Sequence, residues 1–484
     1  TRVDSSSNLD TCISFGRFIR EASFFLVQKP KKPYSTGTMP VTMDTLVSFA
    51  KRRGFIFPTA EVYGGLGGFW DFGPLGVELK NNIKREWWKR FVQQRSDVVG
   101  LDSSIVTNPK VFEQSGHLVN FHDALVECKK CHQRFKADDV GKTCTNCGGK
   151  EFTKPANFNL MFKTFIGSTE ESATTAYLRP ETAQGIFVNF QNVQQSMRLK
   201  LPFGIGQIGK AFRNEITPGN FIFRSREFEQ MELEYFCKPG EDDQWFDYWR
   251  KESMQWFLDL GMKKENIRFT DQPKAELAHY SKATTDIEYH FPFSGGAGSG
   301  PAGEKGWSEL MGVANRTDFD LKAHGQTFRD EEAKGDITPF CIEPSAGVDR
   351  AALAFLIDAY DEVEGGRSTT TEANKEKEVV LRLNKHLAPI KVAILPLSKK
   401  EPLATKAKEV QSLINKDFTT WYDDTQSIGR RYRRQDEIGT PYCVTIDFET
   451  VEKDNAVTVR DRDTMEQERV LITELHSYIT KQFS

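Results

Sequence analysis

The stretch "AFRNEITPGNFIFRSREFEQMELE", residues 211–234, constrains this chain more than any other. Two runs of extended character flank a Pro-Gly turn at Pro218-Gly219, and both interleave charges with aromatics. On an antiparallel pair, residues two apart share a face. Arg213 and Glu215 on one run, with Arg224 and Phe228 on the next, then form either a polar site facing inward or a solvated hairpin. A guanidinium at 213 can grip an α-phosphate in bidentate fashion, and Phe228 offers a flat face to a purine.

The rest of the chain decides between these. Its 484 residues suffice for about two to four domains. The 65 Lys+Arg against 68 Asp+Glu leave a net charge of -3, which excludes a basic nucleic-acid coat. A local basic face can still bind RNA. No apolar run approaches the ~20 residues that span a bilayer, so no membrane partner is expected.

Eight cysteines, unevenly spread, argue against a disulfide scaffold and for a reduced, cytoplasmic compartment. Cys12, Cys237, Cys341 and Cys443 stand alone and read as buried thiols. The other four lie in "CKKCHQRFKADDVGKTCTNC" (128–147), two CxxC pairs with 12 residues between them. That spacing can place Cys128, Cys131, Cys144 and Cys147 tetrahedrally on one structural Zn2+, with no position left for a water. The competing reading is a knuckle that has lost its metal.

Residues 1–42 are Ser- and Arg-rich and acid-poor, and read as a disordered extension, or else as an organelle-targeting segment. After a helical stretch from Met43 to Arg53 comes the Gly-aromatic loop "FIFPTAEVYGGLGGFWDFGPLG" (55–76). No GK[ST] follows, so it is not a P-loop. In "VELKNNIKREWWKRF", Leu79, Ile83, Trp87 and Phe91 recur every fourth residue and predict one apolar helix face. Two adjacent tryptophans exceed what that face needs, so a large core or a partner subunit must cover the second. From Ala388 onward the pattern reads βαβαββα, an α/β unit with a mostly parallel sheet.

Other residues suit the same chemistry as Arg213. Arg350 begins a helix after a Gly-containing turn, where a guanidinium and helix-terminal amides suit phosphate. Glu181 and Glu309 lie in apolar or turn contexts and can bind an ammonium group. Taken singly, each is equally an ordinary salt-bridge residue.

Together these stretches resemble the class II aminoacyl-tRNA synthetases, specifically the homodimeric glycyl type. "FWDFGPLGVELKNNIKREWW" is similar to the family's first motif, with Pro74 at the position facing the dimer partner. Residues 211–234 resemble the second motif and "EPSAGVDR" (343–350) the third. "YLRPETAQGIF" and "GWSELMGVANRTDFDL" resemble the glycine-subgroup stretches, and "GRRYRRQDEIGTP" the anticodon-binding domain. The likeness spans about residues 43–484.

The resemblance implies an α+β fold: an antiparallel-sheet catalytic domain at 43–386, a zinc-ribbon-like knuckle inserted at about 124–152, and a C-terminal α/β anticodon-binding domain at 387–484. It implies a homodimer that uses ATP and Mg2+ to join glycine to tRNA(Gly) through a glycyl-adenylate. Arg213 and Arg350 would be catalytic. ATP would meet Asn214, Glu215, Phe223, Arg224, Ser225, Arg226, Glu227 and Phe228 in the second motif. Beyond it, ATP would meet Glu309, Leu310, Gly347, Val348 and Asp349. Glycine would meet Lys110, Glu181 and the run Phe228, Glu229, Gln230, Met231 and Glu232, then Glu343, Pro344, Ser345, Ala346 and Gly347. A pocket for glycine gains nothing from a side chain, so it must crowd Cα and hold the ammonium. A hydroxyl at Ser345 suits both tasks.

In the C-terminal unit, Arg430, Arg431, Arg433 and Arg434 surround Tyr432 and are expected to meet the tRNA, unless they pair with Asp436 and Glu437. Competing functions are a synthetase for another small amino acid, a non-catalytic paralogue, and a zinc-ribbon RNA-binding protein. Retention of Arg213, Arg224 and Arg350 speaks against the paralogue.

Overall fold

A computed structural model describes residues 41–137, 140–168, 174–278, 280–293, 306–331, 334–363 and 377–484. The extension up to residue 40, including Cys12, lies outside these. No helix among the described residues is long and apolar enough to cross a membrane.

Seven strands build the central sheet: β1 (Val98–Gly100), β2 (Phe203–Phe212), β3 (Glu227–Cys237), β4 (Ile267–Asp271), β5 (Ala283–His290), β6 (Trp307–Thr317) and β7 (Phe340–Gly347). Their spatial order is β4-β5-β6-β7-β3-β2-β1, antiparallel throughout except for the β1–β2 pair. Helix α1 (Pro74–Trp88) starts with proline, whose missing N–H is not needed in a first turn. Leu79, Ile83, Trp87 and, beyond the helix end, Phe91 are all buried, as their spacing predicts. Trp87 stacks on Phe91 with ring centroids 5.1 Å apart. Trp88 is half-buried against Gly100, where an added Cβ would lie 2.5 Å from the indole. The chain therefore covers Trp87 itself and Trp88 only in part, so the pair neither requires nor excludes a partner subunit.

Helix α2 (Asp242–Asp259) adds Trp249, Trp256 and Phe257 to the same core. In α3 (Val348–Ala359) every residue is buried except Arg350, which leaves that guanidinium as the helix's one outlet.

The C-terminal strands β8 (Val392–Pro396), β9 (Thr420–Tyr422), β10 (Tyr442–Ile446), β11 (Ala456–Asp461) and β12 (Gln467–Leu471) lie in the order β9-β8-β10-β11-β12. Pairings of β8 with β9 and β10 are parallel, while β10–β11 and β11–β12 are antiparallel. The sheet is thus half parallel, with an additional strand at Gln467–Leu471. Helices Leu403–Ile414 and α4 (Ile428–Ile438) supply crossovers for the parallel half. The short links after β10 and β11 allow only hairpins. This unit docks on the first through Asn82 of α1, whose amide donates to the carbonyls of Leu387 (3.2 Å) and Ala388 (3.0 Å). An Arg53–Glu437 ion pair adds to the contact.

Candidate active site

Strands β2 and β3 pair Ala211 with Phe228, and the ladder ends one step further at Phe212 and Glu227. Arg213, Glu215 and Arg224 therefore sit in the loop joining the strands, and the extended runs are shorter than the sequence suggests. Loop carbonyls and carboxylates organise it. The Arg224 Nε donates to Glu215 (2.8 Å), and the Arg226 guanidinium clamps the carbonyls of Glu215 and Gly67. The Arg213 Nε donates to the Pro180 carbonyl (3.0 Å), and its guanidinium lies 5.5 Å from the Phe121 ring centroid and 5.4 Å from that of Phe228. Arg350 lies 4.5 Å over the Phe223 ring and donates to the Glu309 carboxylate (3.0 Å).

A cavity of about 140 Å³ is lined by Arg213, Glu215, Phe223, Arg224, Ser225, Phe228, Gln230, Glu309, Leu310, Ser345, Gly347, Asp349 and Arg350, with Ile222. Sequence reasoning named all of these but Ile222. Other expected residues fall elsewhere, because strand side chains alternate. Phe228, Gln230 and Glu232 share one face of β3, whereas Glu227, Glu229 and Met231 take the other. Glu227 pairs with Lys210, Glu229 with Lys80 and Lys84, and Met231 is buried in the core. These three do not line the cavity, and neither does Arg226. Val348 and Ala346 are core residues. Asn214 donates its backbone N–H to Leu160 (2.8 Å), and Pro344 is buried in β7. Lys110 is exposed on the short helix Pro109–Gln114, away from the cavity lining.

Behind Ser345 lies a buried carboxylate cluster. The Ser345 hydroxyl donates to Glu232 (2.7 Å), which also accepts from Gln230 Nε2 (2.8 Å) and from the Thr182 N–H (2.8 Å) and hydroxyl. The Gln230 Oε1 is buried and has no partner among the described residues. Glu343 accepts from Arg316 (2.6 Å), whose remaining nitrogens grip Asp320 at 2.7 and 2.9 Å while its guanidinium faces the Tyr280 ring at 3.9 Å. Glu181 accepts from Gln184 (3.2 Å) and lies 3.3 Å from His117 Nε2.

Burial opposes ionisation of Glu181, but His117, Arg316 and Arg213 outweigh it and hold that carboxyl well below the usual range. Burial and the neighbouring Glu181 push Glu232 up. Burial, with Glu232 and Glu181 adding and Arg316 opposing, pushes Glu343 up to about 8. The cluster therefore holds more carboxyl groups than its cations neutralise, which suits an incoming cation. Arg316, Asp320, Gln184 and His117 escaped sequence reasoning. Arg316, Asp320 and Gln184 lie inside the quoted stretches "ANRTDFDL" and "RPETAQG", but charge alone does not announce burial.

In the inserted segment, Cys128 and Cys147 have sulfurs 3.6 Å apart, as do Cys131 and Cys144, and all four lie within 4.8 Å of one another. A tetrahedral Zn2+ with Zn–S of about 2.3 Å needs sulfur separations of roughly 3.8 Å, so the donor set fits that ion. Left-handed residues, His132 (φ 59°) and Gly148 (φ 69°), follow the second cysteine of each pair and turn the chain back around the sulfurs.

The arginines of α4 do not form one basic surface. Arg431 is only 1% exposed, and its guanidinium donates to the carbonyls of Pro396, Asp423 and Leu397. Arg433 pairs with Glu378, and Arg434 with Asp423. Tyr432 bonds Thr445 and lies beneath Arg460. A helix packed on a sheet must turn some residues inward, and Arg431 occupies that face with Gln435 and Ile438. Asp436 also pairs with Arg460, and Glu437 with Arg53. Arg430 alone of the four is exposed.

The antiparallel sheet, the arginine-lined cavity across β3 and β7, and the appended α/β unit define a class II aminoacyl-tRNA synthetase. The model for the "tRNA synthetase class II core domain (G, H, P, S and T)" matches residues 162–380, and that for the "Anticodon binding domain" matches 391–482. A glycine–tRNA ligase of Geobacillus kaustophilus is 54% identical over 481 residues, covering 92% of this chain and 100% of the relative. One from Caldanaerobacter subterraneus is 53% identical over 474 residues, covering 91% and 98%. This chain belongs to the glycine–tRNA ligase family. The crystal structure of a prolyl-tRNA synthetase from Cryptosporidium parvum complexed with L-proline and AMP shares the fold, with a TM-score of 0.60, 16% identity, and coverage of 91% of this chain and 75% of that one.

Proposed function

We propose that this protein activates glycine with ATP and transfers it to tRNA(Gly). The observation that carries the reading is the Ser345–Glu232 hydrogen bond, which joins an arginine-lined cavity to a buried carboxylate cluster. One end suits a triphosphate, and the other suits an ammonium.

Phe228 supports the adenine ring, Glu215 accepts from its amino group, Arg213 meets the α-phosphate, and Arg224 and Arg350 meet the outer phosphates. Glycine's ammonium sits between Gln230 Oε1, Glu232 and the Ser345 hydroxyl, where a larger side chain would strike β7. Its carboxylate attacks the α-phosphorus and pyrophosphate leaves. The terminal ribose hydroxyl of tRNA then attacks the adenylate carbonyl and displaces AMP. The carboxylate is already nucleophilic, so positioning and charge stabilisation carry the first step. Glu309, with one oxygen on Arg350, is suited to hold Mg2+, which when bound neutralises charge on the phosphates. Zn2+ on the four cysteines would fix the knuckle at 124–152 as a structural element, and that thiol set requires a reducing compartment such as the cytoplasm. The catalytic part spans 43–386 and the tRNA-reading part 387–484, with Arg430 exposed toward RNA.

A homodimer remains part of this reading, on different residues. Val62 (88% exposed), Tyr63 (90%), Leu66 (60%) and Val77 (42%), in the segment around Pro74, expose apolar surface as an interface between copies would.

ATP–pyrophosphate exchange with each of the twenty amino acids tests the activity. Glycine alone should support exchange, and faster exchange with serine, alanine or proline would overturn the assignment. Sedimentation of an active 55.1 kDa monomer at working concentration would overturn the dimer.

A further inference from the structure

A second, larger cavity of about 580 Å³ lies on the opposite face of β3 from the first, lined by Glu227 and Glu229 where the first is lined by Phe228 and Gln230. Lys80, Lys84 and Glu229 line the second cavity, while Asp349 lines the first. These four residues form the layer between the two. Lys80, on α1, is 7% exposed, and its ammonium reaches Glu229 Oε2 (2.7 Å) and Asp349 Oδ1 (3.1 Å) while sitting 4.0 Å above the Phe72 ring. The second Asp349 oxygen accepts the Glu229 backbone N–H (2.8 Å). Lys84 completes the network on the other Glu229 oxygen (2.9 Å).

Sequence adjacency makes this network consequential. Glu229 lies between Phe228 and Gln230, both of which line the ATP cavity, and Asp349 immediately precedes Arg350. Lys80 thus joins the strand carrying the flat platform to the helix turn carrying the phosphate-facing guanidinium, from the side that ATP does not touch. Without the ammonium, the buried Asp349 and half-buried Glu229 carboxylates face one another, and Lys84 reaches only one of them. Like charges in a low dielectric separate or take up a proton. Either response shifts Arg350 relative to Phe228. Burial pulls the Lys80 ammonium's pKa down, but Asp349 and Glu229 outweigh it and raise it above the ordinary lysine range.

We propose that Lys80 is a positioning residue for adenylate formation, setting the spacing of Phe228 and Arg350 through Glu229 and Asp349. The inference rests on the ATP-dependent reading given above.

The test compares parent, Lys80→Met, Lys80→Arg and Lys80→Met/Glu229→Gln in ATP–pyrophosphate exchange, with ATP binding measured separately by calorimetry without glycine. A misplacement near 1 Å in a reacting site lowers rate ~10²-fold, and that is the drop expected for Lys80→Met. The KM for ATP should rise, while the KM for glycine stays within about twofold. Removing the Glu229 charge as well should recover at least ~10-fold of the loss, because the repulsion is gone. Such recovery is a readout that general destabilisation does not produce. Exchange by Lys80→Met within about threefold of parent, or a loss that Glu229→Gln does not relieve, overturns the proposal. Should Lys80→Met not fold, Lys80→Arg decides. A forked cation in the same place should shift ATP affinity in both assays, and unchanged affinity overturns the proposal. A parent that binds ATP but lacks glycine-dependent exchange refutes the activity, while calorimetry still tests the role of Lys80.

Discussion

Arg213→Ala separates chemistry from folding at this site. Among the described residues the side chain makes one hydrogen bond, to the Pro180 carbonyl, and lies against Phe121 and Phe228. A net hydrogen bond is worth about 1 kcal/mol. Each partly exposed cation–π contact adds about 0.5 kcal/mol. The truncation should therefore lower stability by roughly 2 kcal/mol, within the ~5–15 kcal/mol a folded chain has available. Transition-state stabilisation is a different matter, because charge builds on the α-phosphate as pyrophosphate leaves. Removing one preorganised donor at such a site costs about 3–4 kcal/mol, or ~10²–10³ in rate. The loss should fall on kcat for glycine-dependent pyrophosphate exchange more than on the KM for ATP, since the contact strengthens with the developing charge. Arg213→Lys should recover part of it, because an ammonium supplies the charge without the planar fork. A thermal melt alongside the exchange assay establishes that the variant is folded. If folded Arg213→Ala exchanges pyrophosphate within about threefold of the parent rate, Arg213 does not meet the reacting phosphate and the reasoning fails.

Elemental analysis of protein purified without chelator should find one zinc per chain, and Cys128→Ser should lose it and loosen residues 120–155, seen as faster amide exchange there. Loss of tRNA charging in that variant should exceed loss of pyrophosphate exchange, and a metal-free parent would refute the site. Glu343 is held at about 8 in the native state, above its ordinary 4.5, so between those values the folded protein keeps a proton that the unfolded chain releases. Stability should therefore fall as pH rises through that window, and Glu343→Gln should flatten the fall in urea midpoints measured from pH 5 to 8.5. Equal slopes in parent and variant would count against it. Arg431→Ala should destabilise the C-terminal unit by ~2–4 kcal/mol, since the carbonyls of Pro396 and Asp423 lose their buried donor, whereas Arg430→Ala should leave the melt unchanged and raise the KM for tRNA. A stable Arg431→Ala with weakened, salt-insensitive tRNA binding would show that the guanidinium faces RNA after all.

Much of the fold was legible because the relevant signals are local. The fourfold spacing of Leu79, Ile83, Trp87 and Phe91 marks a buried helix face whatever it packs against, and all four are buried. Two CxxC pairs need only turn geometry to converge, and their sulfurs do converge. Arg350 was legible because it opens a helix directly after the Gly-containing turn of "EPSAGVDR".

Other decisions depend on what lies across the sheet or under the helix. "EFEQMELE" carries acids on both faces, so period two is evident but its phase is not. Pairing of β3 with β2 and β7 sends Glu232 toward Ser345 and Glu229 toward Lys80. Arg316 and Arg431 are charged and would be assigned to the surface from their type alone. Each is buried because tertiary partners, carboxylates for one and strand-end carbonyls for the other, replace water around the guanidinium. The tryptophans of α1 divide, since Trp87 is buried against Phe91 while Trp88 rests half-buried on the open backbone at Gly100. Local periodicity determines which residues can share a face. Only the packing of distant segments determines which face meets solvent, because burial is a property of neighbours and not of the residue itself.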